Sequence, residues 1–167
     1  MHQSIDERST DIFFVYALEI EIKIGQLYKE FSTMFSDMPA IAAYWKDLLM
    51  DVMDYIKALR KIKESIDNEQ VLPTIDDKIW DDVNHVRKKL DRDLLQSVNN
   101  LDDAYELAHE LESSEVNAIF QFLTKKFMPK EERVKFVVST MKNHQKKLMD
   151  FSENFGSKAW RKGINAS

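Results

Sequence analysis

The sequence predicts an all-α fold, a bundle of four long helices with one long helical crossover between the second and the third. Three observations carry this. The 167 residues include only 3 Gly and 3 Pro, too few for an all-β fold with its many tight turns. Hydrophobic residues make up 44% and charged residues 32%, the mixture expected of amphipathic helices around one core. The few breakers also leave long uninterrupted stretches, joined by connections that are short, long and short.

Each element has its own signals. Ser9 or Thr10 can cap a first helix running to about Asp37. Asp37-Met38-Pro39 is a stop followed by a start, because Pro suits the first turn of a helix. The second helix spans about Pro39 to Ile66, and Asp67, Asn68 and Pro73 interrupt it. Residues Asp76 to Val98 read as one or two shorter helices carrying Ile79, Trp80, Val83, Val86, Leu90 and Leu94. That stretch is too long for a hairpin and long enough to run back along the bundle, so it is the crossover. The third helix covers roughly Leu101 to Phe127. Met128-Pro129 breaks the chain, and Lys130, Glu131 and Glu132 open a fourth helix that fades near Gly156. One domain over residues 1–156 is expected, with 157–167 as a tail carrying Trp160 among basic residues.

Composition narrows the chemistry. Without cysteine there is no disulfide framework, iron–sulfur cluster or thiol catalysis. The balance of 24 basic against 29 acidic residues, net -5, offers no electrostatic case for nucleic acid. MHQSIDERST has no basic flank leading into an apolar run, and no stretch approaches a membrane span. The expectation is therefore a cytoplasmic protein that is not bound to a membrane.

Each long helix has an apolar stripe at three- and four-residue spacing. The stripes read Phe14, Ala17, Glu21, Ile24, Tyr28, Phe31, Phe35; Trp45, Leu48, Val52, Tyr55, Leu59, Ile62, Ile66; Leu101, Ala104, Ala108, Leu111, Glu115, Ala118, Phe122; and Val134, Val137, Met141, His144, Leu148, Phe151, Phe155. Such stripes alone mean core. The informative residues are the polar ones inside them: Glu21, Glu115 and His144, with Glu112 within the same arc and Asp51 on its flank. Asp54 lies nearer the rim of its helix. All sit near helix midpoints, which share one level in a bundle of matched helices. Lys142, Lys146 and Lys147 are read as facing outward, and no Lys or Arg falls in a stripe to neutralise the acids. Several carboxylates in one low-dielectric layer repel each other and lose hydration. A bound cation is the usual compensation, and carboxylates with imidazole suit iron, manganese or zinc.

These residues resemble the ferritin-like superfamily and, within it, the rubrerythrin family, over roughly residues 11 to 155. Glu21 followed by Tyr28 is similar to the first rubrerythrin helix. Asp51-Val52-Met53-Asp54, behind Trp45-x-x-Leu48, stands where that family has Glu-x-x-His. Glu112-x-x-Glu115 is similar to its third helix. Met141-Lys142-Asn143-His144 stands where it has a second Glu-x-x-His. The resemblance implies a metal site of Glu21, Asp51, Glu112, Glu115 and His144, holding one or two iron ions or another divalent metal. Tyr28 and Asp54 would support the ligands from behind. Asp51 is a shortened carboxylate, Asp54 replaces an imidazole and Met141 replaces a carboxylate, so the implied site is an altered one.

The activity implied is peroxide or iron handling as a di-iron-type oxidoreductase, with a redox donor in trans because the chain has no cysteine-bound donor of its own. A homodimer is implied as well. Met50, Met53, Phe120 and Trp160 would line a subunit contact or pack under the crossover. The rival reading is a non-catalytic bundle whose metal site has degenerated, leaving protonated carboxyls or buried water in its middle and serving as an interaction or structural module.

Overall fold

The structure is a computed structural model that describes residues 9–66, 74–112 and 115–151. The described residues form helices and no strand. Helix α1 spans Thr10–Met34, and its first turn is capped as the sequence suggests: the Ser9 side chain accepts a hydrogen bond from the Ile12 amide at 3.3 Å. Helix α2 spans Pro39–Ser65 with its Pro in the first turn. These helices of 25 and 27 residues are each about 40 Å long at about 1.5 Å per residue. They form the most extensive helix pair of the fold.

Gly25 sits where they meet. A Cβ there would come within 3.3 Å of the Leu49 side chain and 3.4 Å of Val52. The predicted α1 and α2 stripes point inward almost without exception, from Phe14 to Phe35 and from Trp45 to Ile62.

Helix α3, Asp77–Leu90, and a 3₁₀ turn over Leu94–Ser97 occupy the stretch between the second and third long segments. Helix α3 buries Trp80, Val83 and Val86 and packs against α1 and the later α5. The Trp80 ring meets the Phe13 ring edge-on with 5.4 Å between centroids. Arg87 lies over the Tyr16 ring and pairs with Glu19 at 3.1 Å, while Lys23 pairs with Asp91. This connecting segment is thus fastened to α1 by an apolar face and a charged rim.

The third long stretch is described as α4, Leu101–Glu112, and α5, Glu115–Phe127. In α5 the buried residues are Val116, Ile119, Phe120, Leu123 and Thr124 together with the predicted Phe122, while the predicted Ala118 is only half-buried. A straight helix at 3.6 residues per turn drifts away from a fixed three–four spacing, which explains the offset. Phe120, read as lining a subunit contact or packing under the crossover, is buried in the core, with its ring centroid 4.5 Å from that of Tyr55 and 5.8 Å from that of Phe136.

The fourth stretch is not a single α-helix. It runs as α6, Lys130–Phe136, a π turn over Val137–Met141, and α7, Lys142–Met149. The wider turn takes in an extra residue and rotates what precedes it. Val134, predicted to be core, is 54% exposed, while Met141, His144, Leu148 and Phe151 stay inward. The Ser139 hydroxyl donates to the Lys135 carbonyl at 2.7 Å, a local bond that competes with the helical ladder there.

Among the described residues no helix is long and apolar enough to cross a membrane. The boundary at 156, the tail at 157–167 and Trp160 lie outside the described residues, as do Asp67, Asn68 and Pro73.

Candidate functional site

Four of the five candidate ligands are buried together in the bundle. Glu21 comes from α1, Asp51 from α2, Glu112 from the end of α4 and His144 from α7, and each is at most 9% exposed. Glu115 opens α5, and its side chain lies outside what the structure describes. Asp54 is exposed and does not join the group. Asp51 is already at the flank of the buried face centred on Leu48, and three further residues carry Asp54 about 60° more in the same direction, past the rim of the core.

His144 is the centre of the arrangement. Its Nδ1 lies 3.0 Å from Asp51 Oδ2 and its Nε2 lies 3.1 Å from Glu112 Oε1. Ionised carboxylates accept hydrogen bonds and do not donate them, so both ring nitrogens donate and the ring is an imidazolium. Burial works against that charge, but the negative charge of Glu112 and the hydrogen bonds to both carboxylates outweigh it and raise the His144 pKa to about 10.

Glu112 Oε1 accepts a second bond, from the Tyr28 hydroxyl at 2.7 Å. Tyr28 on α1 is thus hydrogen-bonded to the same carboxylate oxygen that faces His144. Burial and the adjacent Glu112 charge raise the Tyr28 pKa well above the ordinary phenol value, keeping it a donor. The Tyr55 ring meets the His144 ring edge-on, with 5.4 Å between centroids. Buried Met141 brings no charge into this part of the bundle.

Lys147 corrects the sequence reading. It is not an outward-facing surface residue. Its Nζ lies 3.0 Å and 2.9 Å from the two Asp51 carboxylate oxygens and 3.0 Å from Asp47 Oδ2, with its side chain only 21% exposed. Burial opposes its charge too, yet the bonds to Asp51 and Asp47 raise its pKa. Burial likewise pushes the Asp51 pKa up, but His144 and Lys147 win and hold it below the ordinary value. The signal for Lys147 was present in the sequence as two pairs of spacings, Asp47 with Asp51 one turn apart and His144 with Lys147 one turn apart. Only the packing of α7 on α2 says that these pairs face each other.

Charge is therefore compensated within the chain. Asp51 and Glu112 face His144 and Lys147, and Lys147 also serves the exposed Asp47 at the rim. Among the described buried residues Glu21 is the remaining acid. Burial first, and then the nearby Glu112 charge, raise its pKa well above the usual carboxyl value although His144 pulls the other way. A neutral carboxyl is the form that this environment favours.

The described residues do not fit the implied metal site. The only imidazole of the group has both nitrogens committed to carboxylates, so no lone pair faces a cation. Among the described residues no three His, Asp or Glu side chains converge in a way that could hold a metal ion. No reaction step can be drawn from this arrangement. What it does is bind α2, α4 and α7 to one another, and α1 through Tyr28. Comparison with family models, with curated proteins and with solved structures yields no match to the chain, so its function is read from this buried group and the surfaces around it.

Proposed function

We propose that the chain is a non-catalytic helical bundle of ferritin-like, rubrerythrin-related ancestry whose ligand positions have become an internal ion-pair network, and that it serves as an interaction or structural module in the cytoplasm. The observation that carries this is His144, which donates from one nitrogen to Asp51 and from the other to Glu112. An imidazolium held in this way is a structural cation. Buried charges retained as a complete network help specify a unique packing even where they add little net stability.

The interaction role is supported by the outer face of α1 and α2. There Ile22, Leu49, Met53 and Ile56 line a groove, with Ile22 39% and Met53 49% exposed. The homodimer implied by the resemblance belongs to the same proposal, with Met53 in that groove and Met50 exposed on the same helix.

One observation favours the second reading, an altered carboxylate–histidine metal site acting in peroxide or iron handling. Glu21, Asp51, Glu112 and His144 come from four different helices to one place, as ligands of such a site would. A single measurement separates the readings. The tag-free protein is loaded anaerobically with Fe(II), Mn(II) or Zn(II), and bound metal per chain and melting temperature are measured. The network reading expects metal near zero and no metal-dependent rise in Tm, since selective binding to the folded state would raise it. Tight binding of one or two ions, abolished by Glu112→Ala or His144→Ala, would establish the metal reading instead.

A further inference from the structure

We infer that the groove on the outer face of α1 and α2 docks an amphipathic helix of another protein, one whose apolar face runs into Asp or Glu side chains at one end. This rests on the interaction-module reading and names its occupant.

The groove has two unlike ends. The helices run antiparallel, with Tyr28 beside Trp45 and Gly25 beside Leu49. Ile22, Met53 and Ile56 therefore share one end, and Lys29 and Lys46 share the other. Both lysines are exposed, and the lining contains no carboxylate. That departs from the balance of the chain, which has 29 acidic and 24 basic residues. Glu30 and Asp54 are exposed on the same helices but lie outside the lining. Beyond Ile22 the apolar surface continues along α1 to Leu18 and Val15, where Glu19 is already paired with Arg87 at 3.1 Å.

Shape selects a helix. The groove holds about 660 Å³, and Gly25 in its floor adds no side chain to fill it. From Val15 to Lys29 the surface is about 21 Å long at about 1.5 Å per residue, the length of a helix of about four turns. Both walls are α-helices whose backbone groups are bonded internally, so an added strand finds no edge to pair with. A helix lays its apolar ridge between theirs.

Charge selects a partner other than a second copy. An isologous contact sets a surface against itself, which would add two more lysines to a lining without an acid. Acidic side chains on the docked helix meet Lys29 and Lys46 instead. A homodimer contact is left to Met50, exposed on α2 outside the groove.

The test selects binders to the full chain from a displayed library of random peptides about 16 residues long, enough for about four helical turns. Selected peptides are synthesised and titrated by fluorescence anisotropy. They are expected to carry apolar residues at helical spacing and at least two Asp or Glu. Met53→Glu and the pair Lys29→Glu with Lys46→Glu should each weaken their binding at least about tenfold. All three positions are exposed, so these variants should keep the wild-type circular dichroism. Should one of them misfold, Ile22→Glu and the salt dependence of the wild type replace it. Raising NaCl from about 50 to about 300 mM should weaken the acidic peptides severalfold, because it screens the rim lysines.

Peptides without acids, or binding that ignores these variants and salt, overturn the inference and leave the interaction role to another surface. Sedimentation of the chain alone supplies the remaining arm. A dimer that Met53→Glu dissociates would place a second copy in the groove, which also overturns the inference and keeps the interaction role. No selected peptide and no self-association would overturn both.

Discussion

Raising the pH should unfasten the bundle through His144. The histidine pKa is displaced from its ordinary 6.5 to about 10 in the folded protein. At about 1.36 kcal/mol per pH unit, that displacement is worth about 5 kcal/mol. His144 is 1% exposed, so solvent screening does not reduce the figure greatly. A group whose pKa is raised on folding contributes its full stabilisation below its unfolded pKa and loses it as pH rises through the folded one. The loss should therefore run from 6.5 to about 10. Glu21 acts in the same direction, since burial also raises its pKa and ionising it inside the bundle opposes folding. Asp51 acts oppositely: its lowered pKa gives stability above 3.8 that is lost as pH falls through its folded value.

Stability should therefore be greatest in mildly acidic solution and fall steadily above neutrality, by about 1.4 kcal/mol per pH unit from the His144 proton alone. A whole domain holds only about 5–15 kcal/mol, so the effect is large. The assay is urea unfolding from pH 6 to 9 for wild type and His144→Gln. The variant should lose one proton's worth of slope, because glutamine does not titrate. Equal slopes in the two proteins would refute the imidazolium, and with it the network as drawn.

Three further outcomes test the parts. Tyr28→Phe removes the hydroxyl that donates to Glu112 at 2.7 Å and leaves that buried carboxylate short of a partner. The expected cost is about 1–3 kcal/mol in urea unfolding, and a change below about 0.3 kcal/mol would show that the bond is not made. Val134→Lys and Leu148→Ala test the π turn. Val134 is rotated outward and should tolerate lysine within about 0.5 kcal/mol, whereas Leu148 is 4% exposed and its truncation should cost about 2–5 kcal/mol. A Val134→Lys cost as large as the Leu148→Ala cost would mean an unbroken α-helix. At Gly25, alanine gains about 1 kcal/mol of helix propensity but sets its Cβ 3.3 Å from Leu49, so the net change should stay within about 1 kcal/mol. Gly25→Leu should cost several times more by thermal melting, and a neutral result would mean that α1 and α2 do not approach closely there.

Much of this molecule is legible along the chain because helices are local. The Ser9 cap, the Pro39 start, the breaks around Met128-Pro129 and the inward stripes of α1 and α2 all depend on neighbours within a few residues. The identities of the buried polar residues are legible for the same reason: Glu21, Asp51, Glu112 and His144 stand out because charge is rare on an apolar face. Tyr28 was legible too, as a phenol two turns along from Glu21.

What neutralises those charges was not legible. Lys147 lies at the edge of its stripe, where a lysine on an isolated helix turns to solvent. It turns inward because α7 packs on α2 at the height where Asp47 and Asp51 are exposed to it. The π turn is likewise a compromise between packing above and below it, and Val134 carries no mark of it. The chain alone determines which residues are helical, which face inward and where acids and imidazole meet. Whether that meeting place calls for a metal or supplies its own cations depends on distances of about 3 Å between different helices, because charge compensation falls off over a few ångströms and side chains far apart in sequence set it.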